Sequence, residues 1–177
     1  MSAPKLLTLT IKRARLDRAR VSFLRRAFRR LRQQDAWRAH GGIYCIESGK
    51  IRADGSANLH IHAIIDAPYI SQRVLSGMWR KATDGEGYIV DIRAYRKPSR
   101  GVKYLTKYLT KGVGNLPLWQ RNLINDAFHG VRLFQPFGTM VRVNAPIAVC
   151  PSCGATGAVY CPTASEIEAR GLPLLTL

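Results

Sequence analysis

The stretch that most constrains this chain is Asn58 to Asp66, NLHIHAIID, which reads as one β-strand. Successive strand side chains point to opposite faces, so His60 and His62 share one face while Leu59, Ile61 and Ala63 share the other. Two imidazoles one strand step apart form a ready chelate for a divalent metal. The same pattern also describes two polar residues on the wet face of a half-buried strand. The preceding segment narrows the choice. Gly42 to Ser48 (GIYCIES) is a second strand, joined to the first by a polar turn over Gly49 to Ala57, and the simplest pairing of the two is an antiparallel hairpin. That hairpin brings Glu47 opposite or near His60. A carboxylate is a hard third ligand, and it shifts the expected metal from zinc toward Mg2+ or Mn2+.

The rest of the chain supplies elements to pack against this hairpin. Lys5 to Lys12 (KLLTLTIK) has the composition of a first strand. A helix from Asp17, as N-cap, to about Gln34 repeats Val21, Leu24, Phe28 and Leu31 at helical spacing, which defines a core-facing stripe. Ser71 to Lys81 is a second helix, Tyr88 to Tyr95 a strand, Pro117 to Phe128 a further helix and Gly138 to Val143 a last strand. The sum is an α+β fold, a central antiparallel sheet with helices packed on it. Residues 1–144 form the main domain and 145–177 a small cysteine-containing extension.

Charge points to the partner. Lysine and arginine number 28 against 11 acids, a net +17, and an apolar share of 46% still provides for a core. Such an excess predicts a polyanion, nucleic acid before an anionic membrane surface. From Ile11 to Gln34 there are ten basic residues and one acid. A solvated face usually mixes signs, so this one-sided face reads as a phosphate-tracking surface centred on Arg25, Arg26, Arg29 and Arg30. No apolar run has the roughly 18 to 20 residues of a membrane span, and the N-terminus lacks a signal-peptide pattern, so the expected location is the cytoplasm.

Of the four cysteines, Cys45 falls inside an apolar strand and reads as a buried thiol. Cys150, Cys153 and Cys161 form a knuckle whose spacing suits a structural zinc, with His129, His40, Glu166 or a cysteine of another copy as the fourth ligand. A cysteine turn without metal is the alternative.

Lys103 to Lys111, KYLTKYLTK, has helical spacing. Tyr104 and Tyr108 stack one turn apart, between a lysine row (Lys103, Lys107, Lys111) and a leucine row (Leu105, Leu109). An amphipathic surface helix with tyrosines at its boundary would look the same.

Taken in order, the LTLT strand, HIHAII and YLTKYLTK resemble the three motifs of the HUH endonucleases, and among them the rolling-circle replication initiators of plasmids and single-stranded DNA phages. The resemblance spans about Leu6 to Lys111. It implies an HUH-type sheet related to RNA-recognition domains. It also implies a divalent metal on His60, His62 and Glu47, Tyr104 and Tyr108 as nucleophiles, and Lys107 as their accompanying lysine. The implied substrate is single-stranded DNA at a replication origin in a prokaryotic cell, with host helicase and polymerase as partners. The cysteine knuckle lies beyond the third motif and receives no role from it.

The chemistry is consistent with the residue types. A phenol with pKa near 10 needs a neighbouring cation to favour its phenolate and a Lewis acid on the scissile phosphate. Attack leaves a 5'-phosphotyrosine and a free hydroxyl, and the conserved phosphoester makes rejoining possible without ATP. Single-tyrosine initiators with a related motif favour Tyr108 for the first cut. Two other readings compete: a two-tyrosine transposase or relaxase with the same chemistry, and a nonenzymatic module whose tyrosines stack on bases.

Overall fold

The computed structural model describes residues 4–95, 116–132 and 134–142, with the side chains of Tyr88, Val141 and Arg142 excepted. The chain divides at residue 142, and all described residues belong to the first unit, 1–142. Strand β1 (Lys5–Ile11) is followed by a two-residue strand β2 (Ala14–Arg15) and helix α1 (Arg18–Arg32). Next come β3 (Gly41–Ser48), a short β4 (Ser56–Ala57) and β5 (Leu59–Asp66). Helix α2 (Gln72–Ala82), β6 (Gly87–Ala94), α3 (Leu118–Phe128), β7 (Phe134–Gly138) and a 3-10 turn (Thr139–Arg142) complete the described elements.

The fold is α+β, with five antiparallel strands in the order β6-β1-β5-β3-β7. The histidine strand β5 is therefore the central one, paired on one side with β3 and on the other with β1. Alternation sorts the residues into two faces. Leu7 and Leu9 of β1, Tyr44 and Ile46 of β3, and Ile61, Ala63 and Ile65 of β5 are buried on one of them. Helix α1 turns Val21, Leu24, Ala27, Phe28 and Leu31 onto that face, and the Phe28 ring meets Tyr44 at 4.7 Å and Phe137 at 5.6 Å between centroids. Helix α2 adds Leu75 and Trp79, whose indole donates to the Thr10 carbonyl at 2.9 Å. Each such fully buried apolar side chain contributes on the order of 1.5–3 kcal/mol. This face is the core. The histidines point the other way.

Helix starts follow local chemistry. The Asp17 carboxylate accepts from the Arg20 amide at 2.7 Å, and the Ser71 hydroxyl accepts from the Val74 amide, so each satisfies an amide that the first turn would leave unpaired. Arg29, Arg30 and Arg32 in the last turn of α1 sit at the negative end of its dipole.

Two expectations are corrected. The last strand was expected over 138–143 but runs Phe134–Gly138, because Gly138 takes a φ of 60° that ends an extended run and turns the chain into the 3-10 turn. The Gly49–Ala57 stretch is more than a turn: Ser56 and Ala57 pair with Arg15 and Ala14 in a two-stranded ribbon. Its tip is closed by the Asp54 carboxylate, which accepts from the Ser56 amide at 2.9 Å, and by Gly55 at a φ of 75°.

Candidate functional site

Register builds the site. Thr10, His60 and Glu47 are directly opposite one another across β1, β5 and β3, and Thr8, His62 and Cys45 are opposite in the next row but one. Opposed residues in an antiparallel ladder share a face, so Thr8, Thr10, Glu47 and both imidazoles lie together on the face away from α1 and α2. The hairpin expected from loop length is present in the register that places Glu47 against His60.

Side chains refine the picture. The Thr10 hydroxyl is 2.9 Å from His60 Nδ1 and the Thr8 hydroxyl is 3.1 Å from His62 Nδ1, so each imidazole is held through the same ring nitrogen by a threonine of β1. The rings are 6.0 Å apart between centroids and tilted by 31°. Glu47 reaches diagonally: its Oε2 lies 2.9 Å from Nε2 of His62 rather than bonding the His60 that it opposes. Because a carboxylate only accepts, the His62 proton sits on Nε2 in this pairing and Nδ1 accepts from the Thr8 hydroxyl.

His62 is 7% exposed and Thr10 is 2% exposed. Burial lowers the pKa of His60, the adjacent His62 lowers it further, and Glu47 offsets part of the shift. His60 is therefore held neutral, the state in which an imidazole ligates a metal. Gly49 sits against the same ring: a β-carbon there would lie 2.9 Å from His60 Nε2. Burial, with Glu47 nearby, pushes the Cys45 thiol up to about 12, so it is an inert core group.

Whether these residues fit a divalent metal can be judged from their donor set. Metal-bound histidines characteristically have the second ring nitrogen tied to an oxygen, and both histidines have it tied to threonine. Adjacent donors of an octahedral site with bonds of about 2.1 Å sit about 3 Å apart, close to the 2.9 Å between Glu47 Oε2 and His62 Nε2. Among the described residues no three His, Cys, Asp or Glu side chains close into a ready metal cage. What the fold supplies is a His62–Glu47 pair with His60 beside it. A threonine hydroxyl both donates and accepts, so Thr8 can follow His62 when its proton moves from Nε2 to Nδ1.

Arg25, Arg26, Arg29 and Arg30 are all exposed on α1, as expected, but they are not equivalent. Arg30 is paired with Asp84 at 3.0 Å. Tyr104, Tyr108, Lys103, Lys107 and Lys111 lie outside the described residues, as do Cys150, Cys153 and Cys161. Of the expected fourth zinc ligands, His40 faces Asp66 at 3.7 Å and His129 caps the C-terminus of α3. No helix among the described residues is long and apolar enough to cross a membrane.

Thr8 and Thr10 were not singled out from the sequence as site residues. Their signal is the alternation of LTLT, which becomes informative only once β1 is known to pair with β5. The chain matches no family model, no curated protein and no solved structure.

Proposed function

We propose that this chain is a metal-dependent endonuclease of the HUH type, a rolling-circle replication initiator that nicks and rejoins single-stranded DNA through a 5'-phosphotyrosine. The observation that carries the reading is the pair of threonine-held histidines on the central strand with Glu47 against one of them. Two imidazoles with Nδ1 buttressed in parallel, one of them kept neutral by burial, make a costly arrangement for a merely wet strand face. It suits a ligand set.

In this reading His60, His62 and Glu47 hold Mg2+ or Mn2+, which supplies Lewis-acid polarisation of the scissile phosphate. Thr8 and Thr10 orient the imidazoles. Tyr104 or Tyr108 gives up its proton and attacks phosphorus, a phosphotyrosine bond forms, the P–O3' bond breaks and the 3' oxygen leaves to become a hydroxyl. Lys107 favours the phenolate by its charge. The second tyrosine can accept a later transfer, which makes strand exchange reversible without ATP. The +17 charge supports a polyanionic substrate, and the HUH-type sheet, the replication origin, a host helicase and polymerase, and a prokaryotic cytoplasm belong to the same proposal. Zinc on Cys150, Cys153 and Cys161 would be structural.

The test is covalent capture. Labelled single-stranded oligonucleotides incubated with protein and Mn2+ should give a denaturation-resistant adduct that is absent in EDTA and in the His60→Ala and His62→Ala proteins, while DNA affinity stays nearly unchanged. An adduct formed equally in EDTA and Mn2+ would remove the metal from the reading.

A further inference from the structure

A second basic feature lies on the opposite face of the sheet from the histidines. Between α1 and β7 is an open groove of about 450 Å³, and the described residues that line it include Arg25, Arg29, Arg32, Tyr44, Gln135 and Phe137 but no carboxylate. Tyr44 and Phe137 belong to the core side of β3 and β7, so the groove cannot share a phosphate with His60 and His62.

Arg32 is the informative residue. Its guanidinium lies over the rings of Phe28 and Phe137, 5.0 and 4.8 Å from their centroids, and its Nε is buried without a hydrogen-bond partner. A guanidinium presents five donors in a fork, and leaving one buried and unpaired costs about 1–3 kcal/mol. Burial also lowers the pKa of Arg32, with Arg29 adding to the effect and Tyr44 opposing it. The surrounding groups are organised. The Tyr44 hydroxyl donates to Gln135 Oε1 at 2.8 Å, and the Arg25 guanidinium lies within hydrogen-bonding reach of the Tyr44 hydroxyl. Three cations are thus gathered without an acid among the described lining. That pattern fits an anionic ligand with planar, fork-compatible oxygens, and the backbone phosphodiester meets it.

We infer that this groove holds a backbone phosphate of the nucleic-acid substrate away from the reacting centre, with Arg25, Arg29 and Arg32 as its donors. The inference rests on the nucleic-acid reading above but not on its chemistry. It narrows the one-sided α1 surface to a particular edge: Arg32 joins the contact and Arg30, neutralised by Asp84, stands outside it.

The experiment compares two double variants of equal charge change in the full chain. Arg25→Ala/Arg29→Ala empties the groove, and Arg18→Ala/Arg73→Ala removes two exposed arginines elsewhere. Binding to a labelled single-stranded oligonucleotide is measured from 50 to 300 mM salt. The groove variant should lower the salt slope by about 1.4, roughly 0.7 for each lost phosphate contact, and the control by less than half of that. Equal slopes for the two doubles would overturn the inference. Arg32→Met keeps an apolar stem between the phenylalanines and removes the cation. It should leave thermal stability unchanged or raised while weakening binding at least threefold, and a loss of folding or unchanged binding would make Arg32 a structural residue and refute its role. Adduct formation at saturating protein should be intact in the groove double. An absent adduct in the wild type sinks the nicking chemistry and leaves the slope comparison standing.

Discussion

Thr10→Val is the sharpest perturbation of the histidine site. Valine matches threonine in shape, so β1 keeps its packing, and only the hydroxyl 2.9 Å from His60 Nδ1 is lost. Thr10 is 2% exposed, which keeps water from replacing it easily. Stability should fall by about 1–2 kcal/mol, the cost of a buried polar nitrogen left unpaired beyond the net worth of one hydrogen bond. In a 142-residue unit that is about 3–6 °C in Tm. If the threonine holds His60 for a metal, Mn2+ affinity should drop by about 10- to 100-fold, the usual effect of removing a partner of a ligating histidine. Titration calorimetry with Mn2+ reads this without DNA or activity. Thr10→Ser should restore most of the affinity. In a His60→Ala background, Thr10→Val should do nothing further to Mn2+ binding, since the hydroxyl then has no imidazole to orient. A Thr10→Val protein that loses the expected stability yet binds Mn2+ within twofold of wild type would show that the threonine is only a packing residue and would refute the reasoning.

Other outcomes follow from the same geometry. His60 has its pKa lowered by burial, so the unfolded chain takes up this proton near the ordinary 6.5 and the folded chain only at lower pH; stability should therefore fall as pH drops through that window, and His60→Gln should flatten that part of a urea-unfolding series from pH 7 to 5. Gly49→Ala places a β-carbon 2.9 Å from His60 Nε2, at the movable end of a side chain, so it should cost less than about 1 kcal/mol in unfolding yet weaken Mn2+ binding by displacing the ring. Cys45, buried with its thiol near 12, should resist thiol reagents at pH 8 in the native protein; if Cys150, Cys153 and Cys161 hold zinc, a chelator should release one metal and expose three further thiols while Cys45 stays protected.

How far the fold could be read in advance depended on whether the relevant pairing was local. The β3–β5 hairpin joins strands eleven residues apart along the chain, and its loop length plus alternation sufficed to put Glu47 against His60. The α1 and α2 boundaries were legible because Asp17 and Ser71 are capping residues followed by apolar residues at helical spacing. The pairing of β1 with β5 spans about fifty residues, and no local rule ties Thr8 to His62, so the threonine support stayed invisible. The diagonal reach of Glu47 to His62 is a rotamer choice, which periodicity does not encode. The end of β7 was misjudged because Gly138 read as a strand start, whereas its positive φ and its approach to the His40 carbonyl, where a β-carbon would clash, make it a terminus. The inequality of the α1 arginines likewise needed tertiary partners, Asp84 for Arg30 and two aromatic rings for Arg32.

The most direct measurement is the covalent adduct itself, resolved by tyrosine. Single-stranded oligonucleotide, Mn2+ and protein are combined, denatured and separated, with wild type beside Tyr104→Phe, Tyr108→Phe and the double variant. The account predicts an adduct in wild type and in Tyr104→Phe, where the first cut survives and the second transfer is impaired, and none in Tyr108→Phe or the double variant. An adduct lost in Tyr104→Phe and undiminished in Tyr108→Phe would reverse the order of the two phenols. An adduct that survives in the double variant would contradict the tyrosine mechanism outright.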